Sequence, residues 1–272
     1  MNSYRGKHTS SMPWSGSSSG YYRSRHARKN RRLQWGRRVA ILLAVILILL
    51  PFVEPLLLQT DQASLVSEDL PYDIGHLRIV FISDIHYGFF FSQSRLHSLV
   101  NRINNLKPDL VLFGGDYATD NASAIQFFKN LPSIHARYGM LGVVGEADRG
   151  ETDLELTLLT DAMRNADITP LVNTVRQVRI GNHSIYVAGA DDVLTGSPDV
   201  KSLAASVSAE DYVIFLAHNP SLIPEAQNAV ERSGKLGWFD LALFGHTHGG
   251  QIPFLAPLLD IGQDVDDRYR GG

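Results

Sequence analysis

The chain has 272 residues, of which 44% are hydrophobic and 19% are charged, a composition typical of a globular protein with one sizeable core or two small domains. It contains no cysteine, which excludes thiolate metal sites, disulfides and cysteine nucleophiles. Residues 1–38 hold ten of the 25 basic residues and no acidic one, so all 28 acidic residues lie in the remainder, and an acidic body of this kind excludes a general nucleic-acid binder.

The N-terminal part of the chain predicts a tail and a membrane anchor. Residues 1–38 are rich in Ser, Gly, Tyr and Arg and lack apolar periodicity, so we expect a basic, disordered tail. Residues 39–58 are apolar apart from Glu54 and reach the roughly 20 residues of a transmembrane helix, although a cleaved signal peptide is a rival interpretation. Because Arg37 and Arg38 precede this run, we expect a single-pass protein of the cell membrane with a cytoplasmic N-terminus and an extracytoplasmic body.

Beyond a polar linker at residues 59–72, strands alternate with helices in residues 73–272. Short runs rich in β-formers predict strands at 77–82, 110–113, 140–144, 183–188, 212–216 and 239–244. Helical spacing of apolar residues, or a proline in a first turn, predicts helices at 92–105, 122–131, 154–166 and 224–232. This alternation predicts a layered α/β fold.

Acidic or imidazole side chains follow five of the predicted strands, at the point where each strand ends. In chain order they are Asp84 and His86, Asp116, Glu146, His218, and His246 with His248. Open α/β sheets place their sites at this edge, so we expect these side chains to converge. Oxygen and imidazole donors without thiolate suit Mn, Fe, Zn or a similar ion. In extended backbone, residues i and i+2 point to one side, so each of the two pairs can serve one site.

In this order the motifs resemble those of the calcineurin-like metallophosphoesterase superfamily, which are D-x-H, G-D, G-N-H-D or G-N-H-E, a single His, and G-H-x-H. Residues 245–251, with the sequence Gly-His-Thr-His-Gly-Gly-Gln, are especially similar to its membrane-anchored bacterial branch. The resemblance covers about residues 73–260 and implies an α-β-β-α sandwich. Family members usually continue with further strands, so we expect either a fragment or a reduced edge of the second sheet at the C-terminus.

The resemblance also implies two divalent cations and the residues that hold them. The first set is Asp84, His86, Asp116 and His248, and the second, sharing Asp116, is Glu146, His218 and His246. Asp116 and His218 are predicted to be catalytic. Two cations can orient a bridging hydroxide and neutralise phosphate oxygens. The implied function is a metal-dependent hydrolase of phosphate esters or anhydrides in which metal-bound hydroxide is the nucleophile.

The third motif departs from the family pattern. Glu146 stands at the Asn position, where its carboxylate either ligates the second cation or turns outward and weakens that site. Ala147 replaces a His that the family uses near the leaving oxygen, and loss of a general acid costs about 10²- to 10⁴-fold in rate. We therefore predict a substrate whose leaving group departs without protonation, such as a pyrophosphate or an activated ester. Arg149 is interpreted as a surface residue, although it could partly compensate for the missing His.

The remaining features concern partners. Residues 89–91 are three phenylalanines, interpreted either as core packing or as an apolar lip for an acyl or prenyl chain near the bilayer. The expected partners are a phosphorylated small molecule or lipid and, through the N-terminal helix, the membrane. Asp191 and Asp192 receive no chemical role. Two alternatives stay open: a catalytically degenerate metal-binding scaffold or sensor, and a secreted hydrolase with a cleaved signal peptide.

Overall fold

The structure is a computed structural model that describes residues 34–45, 60–88 and 91–248. The chain divides into two compact units, residues 1–59 and 60–272. The second of these units contains the two sheets.

In the N-terminal unit, residues 34–45 are helical. Over the ranges that the structure describes, no helix combines the length and the apolar character that a bilayer crossing requires. Residues 46–58 of the predicted anchor and residues 1–33 of the predicted tail lie outside the described residues, so both stay predictions.

The first sheet contains four parallel strands in the order β1, β2, β3, β4. Their bounds are Ile79–Ile82 (β1), Leu110–Phe113 (β2), Met140–Gly142 (β3) and Ile168–Pro170 (β4). The helices of this half are Gln93–Leu106 (α1), Asn121–Asn130 (α2), Glu146–Arg149 (α3) and Asp153–Asn165 (α4). Helix α4 begins at a capping box, in which Thr152 and Glu155 each accept a hydrogen bond from the other's backbone N–H.

The second sheet contains four strands in the order β5, β6, β7, β8. Their bounds are Thr174–Ile180 (β5), His183–Gly189 (β6), Tyr212–Leu216 (β7) and Leu241–Leu243 (β8). The β5–β6 pair is antiparallel, whereas β6, β7 and β8 run parallel. The helices of this half are Val200–Ala205 (α5) and Ile223–Asn228 (α6).

Three buried clusters show how these elements are layered. Strand β2 is buried on both faces, because Val111 and Phe113 join the cluster beneath α1, α2 and α4 while Leu110 joins the cluster shared with the second sheet. Strand β7 behaves alike: Ile214 faces the shared cluster and Phe215 faces the cluster of α5 and α6. Alternation of period two therefore sorts the residues into helix, sheet, sheet and helix layers. The predicted α/β fold is confirmed.

Several predicted elements differ from the observed ones. The strand β5 was not predicted, although Gly181-Asn182 between two alternating runs is a typical hairpin signal, and Gly181 takes the left-handed φ of 61° that such a turn needs. The predicted helix at 224–232 ends at Asn228, where the next residue, Ala229, is extended. The predicted strand at 239–244 is shorter and covers Leu241–Leu243.

Candidate metal centre

The carboxyl ends of five strands meet at one edge of the molecule and carry all seven predicted ligand residues. Backbone bonds continue past the strands there: the Asp84 N–H donates to the Gly115 carbonyl, and the Gly245 N–H donates to the His218 carbonyl. The backbone N–H of His246 donates to both oxygens of the Asp84 carboxylate, at 3.0 and 3.1 Å. This contact joins the end of β1 to the end of β8, so ligands from both sheets face one site.

Asp84, His86 and His248 form a first group of convergent donors, here named the outer cluster. The Nε2 atoms of His86 and His248 lie 3.2 Å apart, and the His248 Nε2 lies 3.7 Å from Oδ1 of Asp84. The two imidazole rings stack with centroids 5.1 Å apart. Both side chains are partly open to solvent, with exposed fractions of 33% for His86 and 30% for His248.

Glu146, His218 and His246 form a second group, here named the inner cluster. Oε2 of Glu146 lies 3.2 Å from Nε2 of His218 and 3.0 Å from Nδ1 of His246. The His218 side chain is fully buried, and that of His246 is 8% exposed. Glu146 therefore points into the site rather than outward.

Asp116 lies between the two clusters. Its Oδ2 is 3.7 Å from Nε2 of His86, and its Oδ1 is 3.6 Å from Nε2 of His218. Oδ1 also accepts a hydrogen bond from the Ala147 N–H at 3.1 Å. One carboxylate oxygen for each cluster is the geometry that a bridging ligand needs.

The electrostatics of the inner cluster are those of a site that attracts cations. Burial alone would lower the pKa of His218, but the carboxylates of Asp116 and Glu146 outweigh it and raise that pKa well above its usual value. Burial would likewise raise the pKa of Glu146, yet His218 and His246 hold it far below its usual range. In the outer cluster, burial and the neighbouring His86 lower the pKa of His248, against the opposing effect of Asp84.

His218 provides the clearest test of whether the residues fit a metal ion. Its Nδ1 lies 2.7 Å from the Gly114 carbonyl oxygen, which can only accept, so Nδ1 carries the hydrogen and Nε2 is left for another partner. Within the described part of the chain, this buried Nε2 makes no hydrogen bond, although carboxylate oxygens lie 3.2 and 3.6 Å away. An imidazole nitrogen aimed at carboxylates in this way has the chemistry of a metal ligand, and the donor set fits a cation of the Mn, Fe or Zn kind.

The backbone at the site is unusual. Five of the predicted ligands have left-handed backbone, with φ values of 54°, 45°, 53°, 68° and 51° for Asp84, His86, Asp116, His246 and His248. Left-handed backbone costs free energy in residues that have a Cβ. Residues other than glycine that adopt it are concentrated at functional sites. Of the predicted i, i+2 pairs, Asp84 and His86 lie together in the outer cluster, whereas His246 and His248 are divided between the inner and the outer cluster. Both pairs have left-handed rather than extended backbone.

In the third motif, residues 145–148, Gly145 and Asp148 match the family pattern and shape the loop, whereas Glu146 and Ala147 change its chemistry. Asp148 is buried, and its carboxylate accepts the backbone N–H groups of Ala118 and Gly145. Burial and the nearby Asp116 raise the pKa of Asp148 to about 8. Gly145 packs so closely that a Cβ there would collide with the Asp116 carboxylate. This loop therefore positions Asp116, while Ala147 offers only its backbone.

The interpretation of Arg149 as a surface residue was wrong, and Asp191, which received no chemical role, is its partner. Arg149 is not a surface residue, because it forms a bidentate ion pair with Asp191 through Nε and Nη2, at 2.9 and 3.1 Å. The carboxylate of Asp192 is buried beside this pair and accepts hydrogen bonds from Leu194 and Thr195. No local pattern links positions 149 and 191, which lie on different halves of the fold.

Comparison with known proteins agrees with this site. The sequence pattern of the family described as calcineurin-like phosphoesterase matches residues 77–250. The YkuE metallophosphoesterase of Bacillus subtilis, described as uncharacterized, is 28% identical over 76% of this chain and 71% of its own length. Phosphodiesterase YaeI of Escherichia coli is 30% identical over 64% of this chain and 62% of its own length.

A zebrafish (Danio rerio) relative described as a transmembrane protein with a metallophosphoesterase domain is 29% identical over 68% of this chain and 43% of its own length. The chain spans about half the length or less of this relative and of two others, from Bos taurus and Campylobacter jejuni. The match over residues 77–250 includes every strand that carries a predicted ligand. The chain therefore belongs to the calcineurin-like phosphoesterase family, and it is a metallophosphoesterase.

Proposed function

We propose that this protein hydrolyses phosphate esters or anhydrides with two divalent cations, one held by the outer cluster and one by the inner cluster, with Asp116 shared between them. The observation that carries the proposal is the position of the Asp116 carboxylate, which presents one oxygen to His86 and the other to His218. When bound, the two cations would lower the pKa of a water molecule and neutralise phosphate oxygens.

The side chains of this chain would supply binding and orientation. His218 is fixed by the Gly114 carbonyl, so its Nε2 stays aimed between Asp116 and Glu146. Asp84 is fixed by the His246 N–H, which orients its carboxylate toward His248. Ligands held in this way need little reorganisation when a cation arrives.

The absence of an imidazole at Ala147 supports a particular substrate class. Ala147 contributes a backbone N–H to Asp116 and has no side-chain proton to give to a leaving oxygen. An alkoxide leaves poorly without a proton, whereas a phosphate leaves readily as an anion. We therefore propose pyrophosphate-linked or activated esters as substrates, rather than simple alkyl phosphates.

The test is a panel of substrates for the manganese-loaded protein: an alkyl phosphate, an aryl phosphate, an aryl diester and a pyrophosphate-linked compound. The diester is included because one relative is named a phosphodiesterase. We expect turnover of the pyrophosphate and aryl compounds that a chelator abolishes. The variant Ala147→His should gain most on the alkyl phosphate, by up to about 10²-fold. Equal or better turnover of the alkyl ester by the unmodified protein would contradict the proposed leaving group.

The location of the substrate is a further part of the proposal. The apolar run at residues 39–58 and the name of the zebrafish relative support a body that works at a membrane surface, outside the cytoplasm. A lipid-linked pyrophosphate would then be within reach. Residues 89 and 90 of the proposed apolar lip lie outside the described residues, so the lip stays a prediction. Equal hydrolysis of soluble and lipid-linked pyrophosphates would remove the support for the lip, and membrane fractionation of the full chain tests the anchor against a cleaved signal peptide.

A catalytically degenerate scaffold or sensor is the second candidate, and Ala147 is the observation that favours it. Such a protein would bind the cations without turnover. Metal binding by the full chain with no hydrolysis of any compound in the panel would support it, whereas hydrolysis that disappears in Asp116→Asn would exclude it.

A further inference from the structure

Arg149 carries a positive charge on the short helix α3, which also carries Glu146 of the inner cluster, and an ion pair with Asp191 fixes its guanidinium. It is the last residue of α3, one helical turn after Glu146, and residues at i and i+3 lie on the same helix face. Its side chain is 12% exposed, so it is neither sealed in the core nor loose on the surface. Among the described residues, its side-chain hydrogen bonds use Nε and Nη2, both toward Asp191, so the Nη1 donors remain for another acceptor.

Asp191 is itself firmly held. Its carboxylate accepts the backbone N–H groups of Asp192 and Ser197, at 2.9 and 3.0 Å, in addition to the Arg149 guanidinium. A Cβ at Gly196 would lie 2.5 Å from the Asp191 carboxyl carbon, so the turn closes tightly around this side chain. Asp192, in the same turn, interacts electrostatically with Arg149 and with His218 and Glu146 of the inner cluster.

The net charge of the centre with two cations bound indicates a role for Arg149. Asp84, Asp116 and Glu146 bring three negative charges, and a hydroxide brings a fourth, so two divalent cations leave no net positive charge. With the Asn that the family pattern has at position 146, one positive charge would remain. An anionic substrate therefore needs a cation from elsewhere, and the other ionisable neighbours, Asp148 and Asp192, are acidic.

We propose that Arg149 binds the phosphate group of the substrate, at the oxygens on the leaving side. This inference rests on the proposed function and deepens it. In the reaction the oxygen of a hydroxide bonds to phosphorus, the bond from phosphorus to the leaving oxygen breaks, and its electron pair stays on that oxygen. Arg149 neutralises the charge that develops there and keeps its own proton, because a guanidinium is not deprotonated in proteins.

Asp191 is then a positioning residue. Its bidentate ion pair holds the guanidinium in one orientation, so little conformational entropy is lost when phosphate binds. This arrangement favours leaving groups that depart as anions over those that need a proton.

The direct test is titration of the manganese-loaded, full-length protein with inorganic phosphate. We expect Arg149→Gln to weaken phosphate binding roughly 10- to 100-fold, since a charge-assisted hydrogen bond is lost, without a change in manganese content. Arg149→Lys keeps the charge but not the fork and should fall between the two. Asp191→Asn should weaken binding less than Arg149→Gln. The matched control is Arg164→Gln, which breaks an exposed Arg–Asp pair with Asp161 on α4 and should bind phosphate as the unmodified protein does.

Phosphate affinity that is unchanged in Arg149→Gln would overturn the inference, as would an unmodified protein that does not bind phosphate. If Arg149→Gln also lost manganese or thermal stability, Arg149→Lys would decide: restored stability with phosphate affinity still at the level of Arg149→Gln would show a purely structural role. Turnover is measured separately, and kcat for a pyrophosphate compound should fall more than KM changes. An unmodified protein that binds phosphate but hydrolyses nothing would reject the proposed function and leave the binding role of Arg149 standing.

Discussion

The outer and inner clusters have the same kinds of donors but opposite surroundings. Each offers one carboxylate of its own, two imidazoles and one oxygen of Asp116. The imidazoles of the outer cluster are about one-third exposed, whereas His218 is fully buried. Burial destabilises every charge that lacks a partner. The buried inner cluster therefore depends more than the outer cluster on a proton or cation that neutralises its carboxylates.

The protonation of the two clusters follows from this difference. In the inner cluster, Asp116 and Glu146 raise the pKa of His218, which favours its protonated form. In the outer cluster, burial and His86 lower the pKa of His248, which favours its neutral form. We therefore expect a cation to compete with a proton more at His218 than at His248.

The largest effect should come from the residue that both clusters share. Asp116→Asn removes a negative charge from each, so we expect it to lower the affinity for both cations by more than the roughly 10- to 100-fold that loss of a ligand's supporting contact costs. Hydrolysis of an aryl phosphate should disappear with the metal. Metal content and initial rates measure this, with the exposed Asp161→Asn as control. Loss of one cation with the other retained at full affinity would show that the clusters are independent.

Removing one imidazole from each cluster should lower the stability of the protein by different amounts. His218→Ala removes the hydrogen-bond donor of the Gly114 carbonyl and the imidazole that faces the buried carboxylates. We therefore expect a loss of about 1–3 kcal/mol in the free energy of unfolding. His86→Ala removes a side chain that is one-third exposed and should cost about 0.5 kcal/mol or less. Urea unfolding in the presence of a chelator measures both. Equal losses would mean that burial does not distinguish the clusters.

Metal removal should matter more as pH rises. The folded pKa of His218 lies above its unfolded value of about 6.5, so its stabilising contribution is present below that pH and is lost as pH rises through the folded pKa. Asp148, with a pKa raised to about 8, acts in the same direction between its unfolded value and pH 8.

The Tm gained on adding manganese should therefore be larger at pH 8 than at pH 6, since the cation replaces the lost protons. Thermal unfolding with and without a chelator at both pH values measures the difference, and His218→Ala should reduce it. A gain in Tm that shrinks toward pH 8 would contradict this account.

The smallest effect is expected at Asp192, which lies near the inner cluster. Burial raises its pKa, and its Oδ1 has no hydrogen-bond partner among the described residues. Asp192→Asn keeps an oxygen for the N–H groups of Leu194 and Thr195 and removes a buried charge, so we expect a change below about 1 kcal/mol in stability. Chemical unfolding at pH 7 measures it. A loss of several kcal/mol, or a large loss of metal affinity, would give Asp192 a direct role in the inner cluster.

The sequence predicted the location of the site because strand ends are local features. The apolar runs ending at Ile82, Phe113 and Leu216 are short, and an Asp or His follows each of them within three residues. The order of strands along the chain then placed these ends at one edge. The hairpin at Gly181 was missed although its turn residues were visible. The reason is that Arg176, on the same side of β5 as the buried Val178 and Ile180, interrupts the apolar alternation.

What the sequence did not predict depends on contacts between distant segments. The pair of Arg149 and Asp191 spans 42 positions, and only the packing of the two halves brings it together. The difference in burial between the outer and inner clusters has the same origin, since it follows from which loops cover His218. The left-handed backbone of the ligands was also not predicted, because Asp and His adopt it more often than most residues with a Cβ but still in a small minority of cases.

The close packing of Gly145 against Asp116 has a consequence for how such a protein can diverge. Gly145 and Asp148 hold the loop, and neither provides a donor to a cation or a substrate. Between them, Glu146 places its carboxylate in the inner cluster, and Ala147 contributes to Asp116 a backbone N–H that any residue except proline can supply. Mutation can therefore exchange the side chains at these two positions while the backbone of the loop stays the same. Such exchanges could change the preferred metal or leaving group without a change of fold.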